Sequence, residues 1–339
     1  MTEVAEVAET VPPMRLTSIA PWFGGKRTLA PEIIAELGPH KQYFEPFCGS
    51  MAVLLHKPQT AKETVNDLHG GLICLARVLA CELQAECLYT RLQRTLFCES
   101  LLESAQQFLE ACPDPPWRLR DDSVGESPQF FRADANMLEY AYWYFVVSWM
   151  SRNGTAGTER LIYQPAVRWG MGGGSPTIRW RSAVESIPAW HQRLRNVVIL
   201  RRDAFSIIPK FEDEPHTAIY CDPPYHATSR SGIRDYSSRY LHDFRARGEK
   251  VARELFGGSD DAAVSVDDHQ RLAEQLRAFQ RARIVVSYYD CPEVRALYPG
   301  WTIVKKTMQK TLLNQNKGND GRTQNAPEIL LINGPSIAS

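Results

Sequence analysis

Tyr43-Phe44-Glu45-Pro46-Phe47-Cys48-Gly49-Ser50-Met51-Ala52-Val53-Leu54-Leu55-His56, followed shortly by Glu63-Thr64-Val65-Asn66-Asp67, decides the fold of this chain. Tyr43 to Phe47 has the aromatic, apolar character of a short strand, and Cys48-Gly49-Ser50 is turn material. Met51 to His56 then has helical spacing, and Glu63 to Asn66 is a second strand ending at Asp67. Strand, turn, helix, strand is the opening of a doubly wound, mostly parallel α/β sheet. Upstream, Pro21-Trp22-Phe23-Gly24-Gly25-Lys26 is a tight glycine turn, and Pro31 to Leu37 is a helix with proline in its first turn. Downstream, Leu72 to about Leu83 continues as a helix.

The pattern changes between Glu86 and Trp190. Helices are predicted over Leu88–Phe97, Leu101–Ala111 and Ala135–Met150, with a polar linker from Pro113 to Pro128. Arg152 to Trp180 is rich in glycine, arginine and aromatics. The α/β pattern resumes with strands at Val197–Leu200, Thr217–Cys221 and Ile284–Ser287 and a helix over Asp268–Gln280. Trp301–Thr307 and Glu328–Ile332 read as a terminal strand pair. The expected division is a tail over 1–17, an α/β body over 18–85 and 196–335, and an inserted, mostly helical module over 86–195. Residues Ala227 to Val266 form a long polar loop of the kind that is functional or disordered.

Composition narrows the function classes. Lys plus Arg equals Asp plus Glu, 39 each, so global charge does not mark a nucleic-acid binder and only local charge could. The eight cysteines are scattered and none forms a C-x-x-C pair, which argues against a zinc site and for reduced core thiols. No metal is expected. No apolar run reaches the length of a membrane span, and the acidic start lacks the basic-then-apolar order of a signal peptide. The expected setting is the cytoplasm.

The chemistry lies at strand ends. Asp222-Pro223-Pro224-Tyr225 follows the strand Thr217–Cys221, and its prolines fix the backbone and remove two N–H donors. A carboxylate, rigid carbonyls and an aromatic ring held together suit a planar base bearing an amino group; the plain alternative is a turn. Glu45-Pro46-Phe47-Cys48-Gly49-Ser50 joins strand to helix where doubly wound folds seat ligands, without a G-x-G-x-x-G fingerprint. Gly49 lets backbone approach a ligand there, and the helix start offers N–H groups to a carboxylate. Asp67 either holds a ribose diol or caps the next helix. Asp203, with Phe205, either accepts from an adenine amino group or caps a helix over a core phenylalanine. Lys26 either reaches a carboxylate or phosphate from its glycine turn or is solvated. Arg152, Arg160, Arg168, Arg179, Arg181, Arg193, Arg195, Arg201 and Arg202, interleaved with Tyr163, Trp169 and Trp180, make either a nucleic-acid face or a solvated basic face. Lys305, Lys306, Lys310, Lys317 and Arg322 form a second basic patch.

Taken together, these residues resemble the Dam-like class of N6-adenine DNA methyltransferases. Trp22-Phe23-Gly24-Gly25-Lys26 is similar to the family's W-x-G-G-K element, and Glu45-Pro46-Phe47-Cys48-Gly49-Ser50 to its E-P-F-x-G cofactor loop. Asn66-Asp67 matches the ribose-binding position, Arg152-Asn153-Gly154 the approach to the target-recognition hairpin, and Asp203-Ala204-Phe205 the element near the cofactor adenine. Asp222-Pro223-Pro224-Tyr225 resembles the catalytic tetrapeptide, Ser287-Tyr288-Tyr289-Asp290 a later strand end, and Glu328-Ile329-Leu330-Leu331 the final strand. Where the family has a second glycine in the cofactor loop, this chain has Met51, which either narrows the cofactor site or points away from it.

The resemblance implies a Rossmann-like methyltransferase sheet, mostly parallel with one antiparallel strand, carrying an inserted target-recognition module. It implies methyl transfer from S-adenosyl-L-methionine to N6 of an adenine flipped out of double-stranded DNA. The implied catalytic residues are Asp222, Pro223, Pro224 and Tyr225. The implied cofactor residues are Trp22, Gly24, Gly25, Lys26, Glu45, Pro46, Phe47, Gly49, Ser50, Asp67, Asp203, Phe205 and Asp222. DNA is expected at Arg152, Asn153, Arg168, Arg179, Arg181, Lys317 and Arg322. The expected enzyme is a monomer in a bacterial or phage-infected cell, with a restriction nuclease as a conceivable partner. Competing readings are N4-cytosine methylation and a catalytically decayed DNA-binding protein of the same fold.

Overall fold

The structure, a computed structural model, describes residues 17–22, 24–113, 115, 135–151, 175–225, 267–309 and 325–338. In chain order the elements are α1 (Ala30–Leu37), β1 (Gln42–Glu45), α2 (Ala52–His56), β2 (Lys62–Asn66), α3 (Gly70–Ala80), α4 (Glu82–Gln93), α5 (Glu99–Ala111) and α6 (Ala135–Met150). They continue with α7 (Pro176–Glu185), α8 (Ile187–Leu194), β3 (Val198–Leu200), α9 (Ala204–Ile207), β4 (Thr217–Cys221), α10 (Asp268–Arg277), β5 (Arg283–Tyr289), α11 (Pro292–Leu297), β6 (Thr302–Gln309) and β7 (Asn325–Ile332).

The strands form one sheet in the order β3-β2-β1-β4-β5-β7-β6. Every pairing from β3 to β5 is parallel, and β7 runs antiparallel to both β5 and β6. The chain lays down β1, β2 and β3 outward in one direction and then returns to start β4 on the other side of β1. The gap above the carboxyl ends of β1 and β4 is therefore the topological switch point, where open α/β sheets bind ligands.

Both faces of the sheet are covered, as the continuous apolar runs of its central strands require. Successive residues alternate between two cores: Tyr43, Ala218, Tyr220, Val285 and Leu330 enter one, and Phe44, Ile219, Cys221, Val286 and Leu331 the other. This is the two-residue period of a strand made visible. The second core is closed by α9, α10 and α11. The first is closed by α1 and α2 and runs on without a break through α3 to α8. The helices between β2 and β3 thus share a core with the sheet although they are inserted in sequence. Trp149 on α6 strengthens the join by donating its indole N–H to the Ile19 carbonyl at 3.2 Å.

Several element boundaries differ from expectation, two of them for visible reasons. The helix expected at Leu88–Phe97 is α4, which starts at Glu82 and ends at Gln93, because Cys81 breaks the run with an extended backbone. The final strand begins at Asn325, ahead of the apolar run, since its pairing with β6 extends to Gln309. Among the described residues no helix is long and apolar enough to cross a membrane.

Candidate active site

Four neighbouring parallel strands end side by side and each presents a carboxylate at or near its end: Asp203 after β3, Asp67 after β2, Glu45 at the end of β1, and Asp222 after β4. The strand order brings these four residues to one edge of the sheet. Asn66 ties three of the ends. Its Nδ2 donates to the carbonyls of Pro46 and Arg202 at 3.0 and 2.9 Å, and its Oδ1 accepts from the Arg202 N–H.

The β1–α2 turn is held from below. Asp67 Oδ2 accepts the Gly49 N–H at 2.8 Å, while Oδ1 accepts the His69 N–H at 2.9 Å. Asp67 does not cap α3; the His69 ring does, accepting the Leu72 N–H. Cys48 N–H donates to the Asn66 carbonyl and Met51 N–H to the Cys48 carbonyl. The N–H groups of Cys48, Gly49 and Met51 are therefore already bonded within the protein, so of the helix-start donors expected for a carboxylate that of Met51 is taken. Gly49 has φ 44°, and a Cβ there would sit 2.9 Å from Trp22 Nε1. Its glycine is thus required first by the packing of the N-terminal loop on the turn. Gly25 repeats the theme on the opposite side, where a Cβ would lie 3.2 Å from the Trp22 carbonyl and 3.9 Å from the Ser50 hydroxyl. Gly24 also has a positive φ, 73°, which the turn leading to Lys26 uses. Pro46 and Ser50 are buried and Phe47 is half-buried against the second core.

Met51 stands where a second glycine was expected and has φ 61°, a left-handed backbone that favours glycine. Its side chain is fully buried in the first core among α1 and α2 residues. Of the two alternatives, then, it points away from the ligand edge. Here a methionine adopts that left-handed backbone with its side chain in the core.

Asp203 caps α9, accepting the Phe205 N–H at 3.1 Å, and Phe205 lies in the second core. The capping alternative is therefore present. The Asp203 side chain is also exposed at the ligand edge.

The corner at β4 gathers a largely buried cluster of charge. Lys26 Nζ lies 2.8 Å from Asp222 Oδ2 and 3.3 Å from Glu328 Oε1, and donates to the Gly24 carbonyl at 2.8 Å. An ammonium has three N–H donors, and these acceptors match them. Lys26 is only 6% exposed, so it serves protein carboxylates rather than a solvated phosphate. Burial works against its charge, but Asp222 and Glu328 outweigh this and hold its pKa above the ordinary lysine value. Asp222 Oδ1 accepts the Ser287 hydroxyl at 2.8 Å, and Ser287 also meets the Tyr220 hydroxyl at 2.9 Å. Burial raises the Asp222 pKa, with Lys26 opposing. Its side chain remains 22% exposed, the most open member of the group.

Tyr225 donates its hydroxyl to Glu328 Oε1. Its ring meets Tyr289 edge-on at 4.4 Å, and Lys26 Nζ lies 5.0 Å from the ring centroid. Burial holds the phenol well above its usual pKa, so it is neutral. Pro223 is buried and Pro224 half-buried beside it. Glu45 is buried with the Tyr43 hydroxyl donating to it at 2.8 Å; burial pushes its pKa up to about 8 despite that bond, and the Asp222 charge adds to the shift. Cys48 and Cys221 flank the site, and burial pushes both thiols up, so neither offers a thiolate.

Of the expected DNA contacts, Arg152, Asn153, Arg168, Lys317 and Arg322 lie outside the described residues. Arg181 is exposed on α7. Arg179, half-buried, donates to the Trp149 carbonyl at 3.2 Å and lies 5.7 Å from the Trp149 ring centroid. Arg193 departs from the basic-face reading. It is buried and forks onto Glu63 at 2.5 and 3.0 Å, with a further bond to the Leu54 carbonyl. Ser287, Asn66 and Glu328 entered the sequence reading as strand residues or motif neighbours rather than as named site residues. Their only local signal is a polar side chain at the end of an apolar run.

An open, mostly parallel sheet with its carboxylates gathered at the switch point is the sheet of a Rossmann-like methyltransferase. The chain belongs to the D12 class of N6 adenine-specific DNA methyltransferases, whose family model matches residues 22–312. Among solved structures it is similar to the rRNA methyltransferase aviRa from Streptomyces viridochromogenes, at 13% identity and a TM-score of 0.33, over 97% of this chain and 91% of that one. No curated protein matches the chain. The protein is thus an adenine-specific DNA methyltransferase.

Proposed function

We propose that the methyl donor is S-adenosyl-L-methionine and that the target adenine is flipped out of the duplex into the corner formed by Asp222, Pro223, Pro224 and Tyr225. The donor set supports this cofactor. Asp67 and Asp203 stand at adjacent strand ends, as a ribose diol and an adenine amino group require, and the 45–50 turn lies next to them at the switch point. Trp22, Gly24, Gly25, Pro46, Phe47, Ser50 and Phe205 build the walls and turns of that site, and Lys26 links it to the tetrapeptide. When bound, this cofactor supplies an electrophilic methyl group on sulfur.

Flipping is needed because the N6 amino group is otherwise paired and stacked. Asp222 accepts one N6 hydrogen and the Pro223 carbonyl the other, which holds the nitrogen lone pair toward the methyl group. Tyr225 gives the base a ring to lie against. A carboxylate has room for more than its Lys26 and Ser287 bonds, so Asp222 can take an N6 hydrogen without losing either. Rate then comes from positioning and charge stabilisation, without a covalent enzyme intermediate. Residues 18–85 and 196–335 form the catalytic body, and 86–195, with the arginines from Arg152 to Arg181, supply target recognition. The substrate form is double-stranded DNA and the working unit a monomer.

The single observation that carries this reading is the half-open Asp222 carboxylate, fixed by Lys26 and Ser287 at the switch point. The test is methyl transfer by Asp222→Ala. Transfer falls at least about 1,000-fold, the scale of losing a group aimed at developing charge, while cofactor binding by calorimetry survives. Transfer near the wild-type rate would refute the assignment.

A further inference from the structure

Glu328 lies on the strand that runs against all its neighbours, and this orientation brings it to the active corner. The parallel strands arrive at the ligand edge with their carboxyl ends; β7 arrives with its first residues, so Glu328 pairs in register with Tyr289 and Lys306 just before the apolar run Ile329–Ile332. Its side chain is 9% exposed. A buried carboxylate needs partners, and those of Glu328 are Lys26 and Tyr225, each of which bears on the tetrapeptide.

The charge count gives this placement its meaning. Lys26 alone would cancel Asp222. With Glu328 present, two carboxylates share one ammonium and the corner keeps a net negative charge, with Asp222 as its open member. As the amino nitrogen forms its bond to the methyl carbon, the carbon–sulfur pair leaves with sulfur. Positive charge grows on nitrogen until one N–H proton departs to solvent. A corner of net charge zero would stabilise that charge less than one of net charge minus one.

We propose that Glu328 is a positioning residue for methyl transfer: it offsets Lys26 so that Asp222 faces the adenine amino group with uncancelled negative charge, and it anchors the Tyr225 ring by its hydroxyl. This rests on the assignment of Asp222 as the amino-group acceptor. Glu328→Gln keeps the size and an acceptor oxygen but removes the charge; Glu328→Asp keeps the charge on a shorter arm. Single-turnover methyl transfer to DNA falls about 10- to 100-fold in Glu328→Gln, less than for a group touching the reacting charge. Affinities for cofactor and DNA are unchanged, and Glu328→Asp is faster than Glu328→Gln.

A Glu328→Gln rate within twofold of wild type overturns the proposal, as does a Gln variant faster than the Asp variant. Asp222→Asn, measured alongside, separates the two claims. If it is inactive while Glu328→Gln is fully active, only the role of Glu328 fails; if it is itself active, the reading beneath fails.

Discussion

Two buried charge clusters sit at opposite ends of the parallel strands, and they are built in opposite ways. At the ligand edge, Asp222 and Glu328 share Lys26, and Asp222 keeps 22% of its side chain exposed. Toward the start of β2, Glu63 takes both Lys57 and Arg193, and its side chain is sealed at 1% exposure. The first cluster has an excess of acid and an opening. The second has an excess of base, no open carboxylate and further bonds from Lys57 to the Pro58 carbonyl and from Arg193 to the Leu54 carbonyl. Burial opposes the Glu63 charge, yet its two cations hold the carboxyl below the usual range; in Asp222 burial prevails over a single cation and the carboxyl is raised. A buried ion pair by itself does not mark a functional site. What separates the two is an acid with charge left over and a path to a ligand.

The comparison breaks most sharply through Asp222→Ala, which costs at least about 1,000-fold in transfer and leaves the denaturant midpoint nearly unchanged, since the group is partly open. Arg193→Met gives the reverse. It strips a partner from a sealed carboxylate and lowers stability by about 3–5 kcal/mol, with the rate per folded molecule unaltered. Urea unfolding and single-turnover transfer on both variants check the pair, and a stable but inactive Arg193→Met would undo the distinction.

Between the clusters, the β1–α2 turn gives a smaller effect. Met51→Gly relieves a left-handed backbone worth about 1 kcal/mol but empties a fully buried side chain, a loss of about 2–5 kcal/mol. The cavity wins, so the variant is less stable by a few kcal/mol in chemical denaturation. Cofactor affinity is unchanged because the side chain faces the core. A gain in affinity would place Met51 in the ligand site instead.

Glu45 gives the gentlest effect, through pH. Its folded pKa is raised from 4.5 to about 8. Between those values the unfolded chain has lost the proton that the folded one retains, so this group makes stability fall as pH rises through that window and adds nothing further above it. Glu45→Gln removes the titration. Its stability relative to wild type therefore improves from pH 5 to pH 8, on the order of 1 kcal/mol per pH unit. Urea midpoints for both proteins across that range test it, and parallel pH curves would mean that Glu45 ionises normally.

Much of this was legible in the chain. The run of strand, turn and helix from Tyr43 to Asp67 places the first strand ends, and the prolines after Asp222 mark a rigid loop at another. What could not be read is what depends on register across long sequence separations. Glu328 and Lys26 meet only because β7 is antiparallel and the N-terminal loop folds over β4, and neither fact leaves a local pattern. Arg193 looked like its neighbours in a basic stretch, yet its position on the inner face of α8 sets it against Glu63. The positive φ of Met51 was hidden because methionine does not announce a left-handed backbone as glycine does.

The most direct test of the central claim is transfer of labelled methyl from S-adenosylmethionine to unmethylated double-stranded DNA, by wild type and Asp222→Asn side by side, with nucleoside analysis of the product. The expected result is N6-methyladenine from the wild type and no transfer by the variant, with cofactor binding retained in both. Methylated cytosine, or N6-methyladenine formed equally well without the Asp222 carboxylate, would contradict it.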